Sequence, residues 1–429
     1  MRRSLRVALP AVAPVAIALL LTCSLAVTLM VLTRAPGTPE GGGVSAAAVA
    51  ARHVDLARFD SAAQWRTGKV RGLKVTNAGN LAFEKGASRK RTAGRTYDVG
   101  RWVSPWVTPG FSFTELIPSF SARTPGAAWI DVRVRGRGPG GTTSWDVMAR
   151  WADKDKVIKP RSVSGQGDDA TSVAVDTWRT PGLTSYQLQV RIYRTAGATS
   201  VPKLDLVTAM TSRLPAKAGA TSRPVSAKAV ELAVPRYSQM THVGHYPKWG
   251  NGGEAWCSPT SASMVLGWYG RLPKASEWAW VSKPHTDPWV DLAARRTYDH
   301  AYRGTGNWTF TTAWAARKAG KGFVTRLRDL REAERLVRAG IPPVVSIAYR
   351  AGELTGSPIR SSNGHLLVVV GFTADGSVVA NDPAAPTRAG VRRVYDRAQF
   401  ERLWLNASGG MAYVIHDAAH PLPASSGNW

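Results

Sequence analysis

Apolar and polar residues alternate in short runs through the first half of the chain. Residues 128–135 and 185–193 carry the two-residue period of a half-buried strand, and clusters of Gly, Pro and Asp separate such runs. The pattern predicts an antiparallel β-sandwich over residues 52–211. Residues 212–230 are rich in Ala, Ser, Lys and Pro without an apolar period, which reads as a linker. The texture then changes over residues 231–420. After Cys257 the apolar positions Ala262, Val265, Leu266 and Tyr269 recur at helical spacing, and Gly270 is placed to cap the helix. Further helices are predicted near 311–318 and 328–339, a buried strand at 344–349, and a hairpin pairing 366–370 with 378–380 across Asp375-Gly376. Helices first and sheet second make this half α+β.

The N-terminus follows neither period. Arg2, Arg3 and Arg6 precede an apolar run over residues 7–33, closed by Arg34 and a Pro/Gly-rich stretch. Residues 1–51 therefore read as a signal peptide or membrane anchor plus linker; cleavage near Ala46-Ala47-Ala48 and retention as an anchor both fit the run. The expected location is extracellular or at the cell surface. Of the two cysteines, Cys23 lies in this segment, so the exported part holds Cys257 alone and forms no internal disulfide. An unpaired thiol at a helix start, where the dipole favours an anion, is placed as a nucleophile.

Lys and Arg number 56 against 29 Asp and Glu, a formal charge of +27 that favours a polyanion. Export and the lack of a recognition motif exclude nucleic acid, leaving an anionic cell-wall polymer or glycan held by the sandwich, and the membrane met through the N-terminal segment. Candidate sugar-stacking residues are Trp102, Trp106, Trp129, Trp145, Trp151 and Trp178; the basic run 85–95 is the candidate polyanion contact. His242 and His245 have metal-ligand spacing, but no Cys or carboxylate completes a set nearby, so the segment reads as loop and neither metal nor cofactor is expected.

The predicted hairpin carries the remaining chemistry. His365 opens its first strand and Asp382 closes its second; a four-residue loop at 373–376 sets both on one face, and a one-residue slip would separate them. A base beside the thiol takes its proton, and a carboxylate behind the base fixes its tautomer.

The order Gln239, then Cys257-Ser258-Pro259-Thr260, then Gly364-His365-Leu366, then Asn381-Asp382-Pro383 resembles the papain-like cysteine peptidases of the bacteriocin-processing, double-glycine leader peptidase type, in their stand-alone exported branch. The resemblance implies a papain-like domain acting on a peptide or amide, with Cys257 as nucleophile, His365 as base and acid, Asp382 as orienting carboxylate and Gln239 as oxyanion donor. Ser258 stands where the family usually has Gly. Gln239 lies further from the cysteine than is usual, so residues 240–253 must loop out, with Asn251 or a backbone N–H as the alternative donor. No phosphate-binding loop of the transporter-linked members is present. The alternative reading is a non-catalytic cell-surface binding protein, with an inactive papain-like domain and a wall- or glycan-binding sandwich.

Overall fold

The computed structural model describes residues 51–92, 94–282 and 285–429. The segment read as signal or anchor lies outside them, and among the described residues no helix is long and apolar enough to cross a membrane.

Residues 53–213 form two sheets. The first runs in the order Ser172–Ala174, Thr177–Leu183, Phe113–Arg123, Lys203–Arg213, Leu81–Phe83, Leu73–Val75, with His53–Phe59 also paired to Lys203–Arg213. The second is built around Trp129–Gly138, Ser185–Thr195 and Arg95–Val103. Their ladders are antiparallel, and inward residues of both, including Leu116 and Phe120 from one and Val132 and Leu188 from the other, share a core. Alternation along each strand produces this layering, because successive side chains point to opposite faces. Trp102, Trp129, Trp151 and Trp178 are buried in this packing, so they offer no face to a sugar. Trp106 and Trp145 are half-buried and lie under the Arg135 guanidinium.

The second half is a mixed layer. Its sheet has the order Lys321–Arg326, Met411–His416, Val344–Tyr349, Ser362–Phe372, Val378–Asn381, Arg392–Tyr395, with the edge strand Val230–Glu231 on Ser362–Phe372. The predicted helices are Trp308–Ala319 and Leu330–Arg338, and the predicted strand is Val344–Tyr349. The helix Cys257–Trp268 is buried from Ser258 to Leu266, flanked by Pro288–Thr297 and Trp308–Ala319 and packed on Ser362–Phe372. Its residues are apolar or small on every side, which is why it sits inside rather than across the surface.

The described residues from 51 to 429 form one compact unit. Phe310 and Ala313 join the sandwich core, while Ile117 and Met210 from sandwich strands join a cluster with Val324 and Tyr413. Each fully buried large apolar side chain at this seam contributes about 1.5–3 kcal/mol. The polar contacts match: Thr309 Oγ1 donates to the Pro118 carbonyl at 2.7 Å, and the Trp308 N–H donates to Asp176 at 2.7 Å. The segment read as linker is tied down too. The Ser222 N–H and hydroxyl both donate to Glu401 at 2.6 Å, and the Val225 N–H donates to Glu334 at 2.9 Å.

Candidate active site

Cys257 is the first residue of its helix. The preceding Trp256 makes no side-chain cap, and the thiol is partly exposed. The backbone N–H groups of a first turn have no intrahelical acceptor, so this end presents donors and the positive end of the dipole. Ser258, the departure from the usual glycine, is fully buried and hydrogen-bonded by its hydroxyl to Thr311 at 2.9 Å and to Tyr413 at 2.9 Å. The substitution is absorbed by two hydroxyls from the neighbouring helix and strand.

His365 and Asp382 meet as the hairpin predicts, by a different route. The loop spans 373–377, one residue longer than expected, so Phe372 pairs with Val378 and Gly371 with Val379. Continued to the strand ends, that register would place His365 and Asp382 on opposite faces. A bulge between Val369 and Gly371 takes up the extra residue, pairing Val369 with Ala380 and Val368 with Asn381. The two side chains thereby share a face, with His365 Nε2 to Asp382 Oδ1 at 2.7 Å.

Both groups are buried. Asp382 also accepts from the Tyr395 hydroxyl at 2.7 Å and the Ala384 N–H at 3.0 Å. Burial opposes its charge, yet His365, Tyr395 and Ala384 outweigh that and hold the carboxyl below its usual range. Burial likewise disfavours an imidazolium, but Asp382, and after it the neighbouring Cys257, push His365 up. With Nε2 on Asp382, Nδ1 is the ring nitrogen left for Cys257. Tyr349 stands beside the pair: burial raises its hydroxyl to about 12, with Asp382 and Cys257 near enough to add to the rise. Sequence reasoning missed Tyr395 and Tyr349. The only local signal for Tyr395 was its place on a strand following Asp382, and nothing nearby in the chain pointed to Tyr349.

Gln239 is buried beside this site although it lies far from Cys257 in the chain. Its backbone N–H donates to the Pro383 carbonyl at 2.9 Å, and its side-chain Nε2 donates to the Glu254 carbonyl at 2.7 Å, just before the cysteine helix. The segment between them doubles back: Val243 bridges Gly252, and at Gly253 a Cβ would lie 2.2 Å from the Gln239 carbonyl oxygen, a gap only glycine permits. Asn251 is exposed and has a positive φ of 66°.

The same segment brings His242 and His245 onto Asp291 of the helix Pro288–Thr297. No carboxylate completes this pair from its own stretch of chain; the fold supplies one from a later helix. 

Residues 55–212 match the Peptidase C39 N-terminal domain, and residues 231–411 match the Peptidase_C39 like family. The second half is a peptidase C39-like domain. The match ends past the bulged hairpin and so takes in Gln239, Cys257, His365 and Asp382. Among solved structures, a family two carbohydrate esterase from Cellvibrio japonicus matches at 12% identity over 51% of this chain and 50% of that one, with a TM-score of 0.19. The chain thus spans about half the length of that esterase. No curated protein matches. The family suggests a cysteine peptidase-like hydrolase, and the N-terminal match covers the sandwich-like region as a domain that accompanies such peptidases.

Proposed function

We propose that the C39-like domain is a papain-like cysteine peptidase or amidase, exported or anchored at the cell surface, with a Cys257–His365–Asp382 triad. The observation that carries this reading is the buried His365–Asp382 contact at 2.7 Å, with the partly exposed Cys257 close enough to add to the rise of the same imidazole. A base held on one side by a carboxylate and turned to a nucleophile on the other is what acyl transfer through sulfur requires.

In the proposed reaction the Cys257 thiolate attacks the scissile carbonyl carbon, forming the C–S bond, while the imidazolium of His365 supplies a compensating charge. As the C–N bond breaks, His365 gives its proton to the leaving amine and a thioester remains. Water then attacks the thioester, His365 takes a proton from it, and the acid is released with the thiolate restored. Negative charge on the carbonyl oxygen falls to the Cys257 N–H at the uncapped helix start and to the second hydrogen of the Gln239 amide. Asp382, itself fixed by Tyr395 and Ala384, keeps the ring turned so that Nδ1 faces sulfur. Peptides or amides are the proposed substrates, and the positive charge of the chain favours anionic wall polymer as its surroundings.

The test is hydrolysis of a peptide library by the purified chain, read by mass spectrometry, beside Cys257→Ala and His365→Ala. Cleavage that disappears in both variants, with each still folded by circular dichroism, is the expected result. Cleavage that survives Cys257→Ala would overturn the proposal; refusal of every peptide and amide, with Cys257 no more reactive than a free thiol, would favour the binding-protein reading.

A further inference from the structure

The segment between Gln239 and Cys257 does more than loop out. It closes two imidazoles on one buried carboxylate: His242 Nδ1 lies 3.0 Å from Asp291 Oδ2, and His245 Nδ1 lies 2.9 Å from Asp291 Oδ1. One ligand-capable atom from each of the three residues falls within 4.8 Å of the others. His242 and Asp291 have no side-chain exposure, whereas His245 is 31% exposed.

Asp291 is a buried carboxyl group met by both imidazoles. Among the described residues no lysine or arginine forms an ion pair with it; the two histidines are its only such partners. His242 adds an anomaly, for its Nε2 is buried and has no hydrogen-bond partner. Three side chains with ligand atoms, from the 240–253 segment and a later helix, thus converge in a largely buried cluster.

We propose that His242, His245 and Asp291 hold a divalent zinc-class metal ion that fastens the 240–253 segment to the helix Pro288–Thr297. Two imidazole nitrogens and one carboxylate oxygen are a zinc donor set, while magnesium and calcium prefer oxygen alone. Ligand atoms about 2.0–2.1 Å from one tetrahedral ion stand roughly 3.3 Å apart. The nitrogen–oxygen spacings, 3.0 Å to Oδ2 and 2.9 Å to Oδ1, run to different oxygens of Asp291, and with all three ligand atoms within 4.8 Å of one another a small turn of the carboxyl brings one oxygen to the ion. The ion's charge offsets Asp291, and the exposed edge at His245 leaves the fourth position to water.

The position gives the ion a role. His242 shares the short turn Gln239–His242 with the candidate oxyanion donor, and its ring packs against Trp256, immediately before the nucleophile, with centroids 5.9 Å apart. Fastening His242 to Asp291 therefore holds both ends of the segment against the start of the cysteine helix. The metal is structural in this proposal and takes no part in bond breaking, so the inference stands whether or not the triad turns over.

The experiment uses the purified full-length chain carrying Cys257→Ala, which removes the thiol as a competing ligand. After dialysis against metal-free buffer, elemental analysis is expected to find about one zinc per chain, and cobalt exchange to give the visible absorption of a four-coordinate site. Adding His245→Ala, a change at the exposed edge that leaves the buried residues in place, should bring zinc to background and abolish the cobalt bands. Asp291→Asn should do the same. If the chain binds neither zinc nor cobalt and melts at the same temperature with and without them, the cluster is a hydrogen-bond network and the proposal fails. Metal that persists in both variants would place the site elsewhere and also overturn it.

Discussion

Replacing Asp382 by Asn tests the proposed triad where its energy is concentrated. The change conserves shape: an amide oxygen can still accept from the Ala384 N–H, and the amide can still meet the Tyr395 hydroxyl, but the charge facing His365 at 2.7 Å is gone. With the charge centres about 4 Å apart and an effective dielectric near 20, the lost attraction is about 4 kcal/mol, or up to roughly three decades in the imidazolium-to-imidazole ratio. The sign follows from the raised value of His365, which goes from an ordinary 6.5 to about 10 as Asp382 and Cys257 overcome burial. Stability from this group is fully present below pH 6.5 and is lost as pH rises through about 10. In Asp382→Asn the imidazolium is lost at lower pH, and the thiol loses its counter-charge with it. The assay is the second-order rate of iodoacetamide alkylation, measured from pH 5 to pH 10 with the labelled peptide mapped to Cys257. The expected outcome is a fall of up to about tenfold near pH 8, where the parent keeps its imidazolium and a three-decade loss leaves about a tenth of it, with little change at pH 6 and peptide hydrolysis near pH 8 reduced in parallel. Alkylation profiles that superimpose for parent and variant would refute the coupling of Asp382 to the thiol through His365.

Other consequences are open to measurement. Gly253→Ala forces a Cβ to 2.2 Å from the Gln239 carbonyl oxygen, so denaturant unfolding should show a loss of about 1–3 kcal/mol; an unchanged midpoint would mean the turn is free to move. Asp176, reaching from the sandwich to the Trp308 N–H, has its carboxyl pushed up to about 7 by burial, so the folded chain holds that proton more tightly than the unfolded one and stability from it is lost as pH rises from 3.8 to about 7. Asp176→Asn keeps an acceptor and removes the titration, so its melting temperature should decline less than the parent's between pH 5 and pH 8; parallel declines would exclude the effect. Limited proteolysis should leave one resistant body that includes the first strand His53–Phe59, because Ser222 and Val225 are tied to Glu401 and Glu334. Two stable fragments separated by cuts within 212–229 would show that the sandwich and the C39-like domain fold apart.

Much of this protein is local and was legible in the chain. Alternation with period two is a direct consequence of strand geometry, so the sandwich strands and Val344–Tyr349 could be read from their own residues. The cysteine at a helix start and the histidine and aspartate on two arms of one hairpin needed no distant information either. What the chain left undecided were the contacts whose partners lie far apart. The extra residue in the hairpin loop would have turned His365 and Asp382 to opposite faces, and the bulge that corrects it sits where Gly371 passes the edge strand at Val230, a position at which a Cβ would strike the Val230 carbonyl. Four tryptophans that look like a binding face from composition are core, because burial depends on which sheet faces which. Asp291 reaches the two histidines, Gln239 reaches the carbonyl of Glu254, and Tyr395 reaches Asp382 only after the sheet and helices have packed. Local pattern determines which elements form, since it acts through backbone geometry and nearest neighbours. Tertiary packing alone decides which polar groups are enclosed together, and burial then sets their charges against one another strongly enough to make a candidate site.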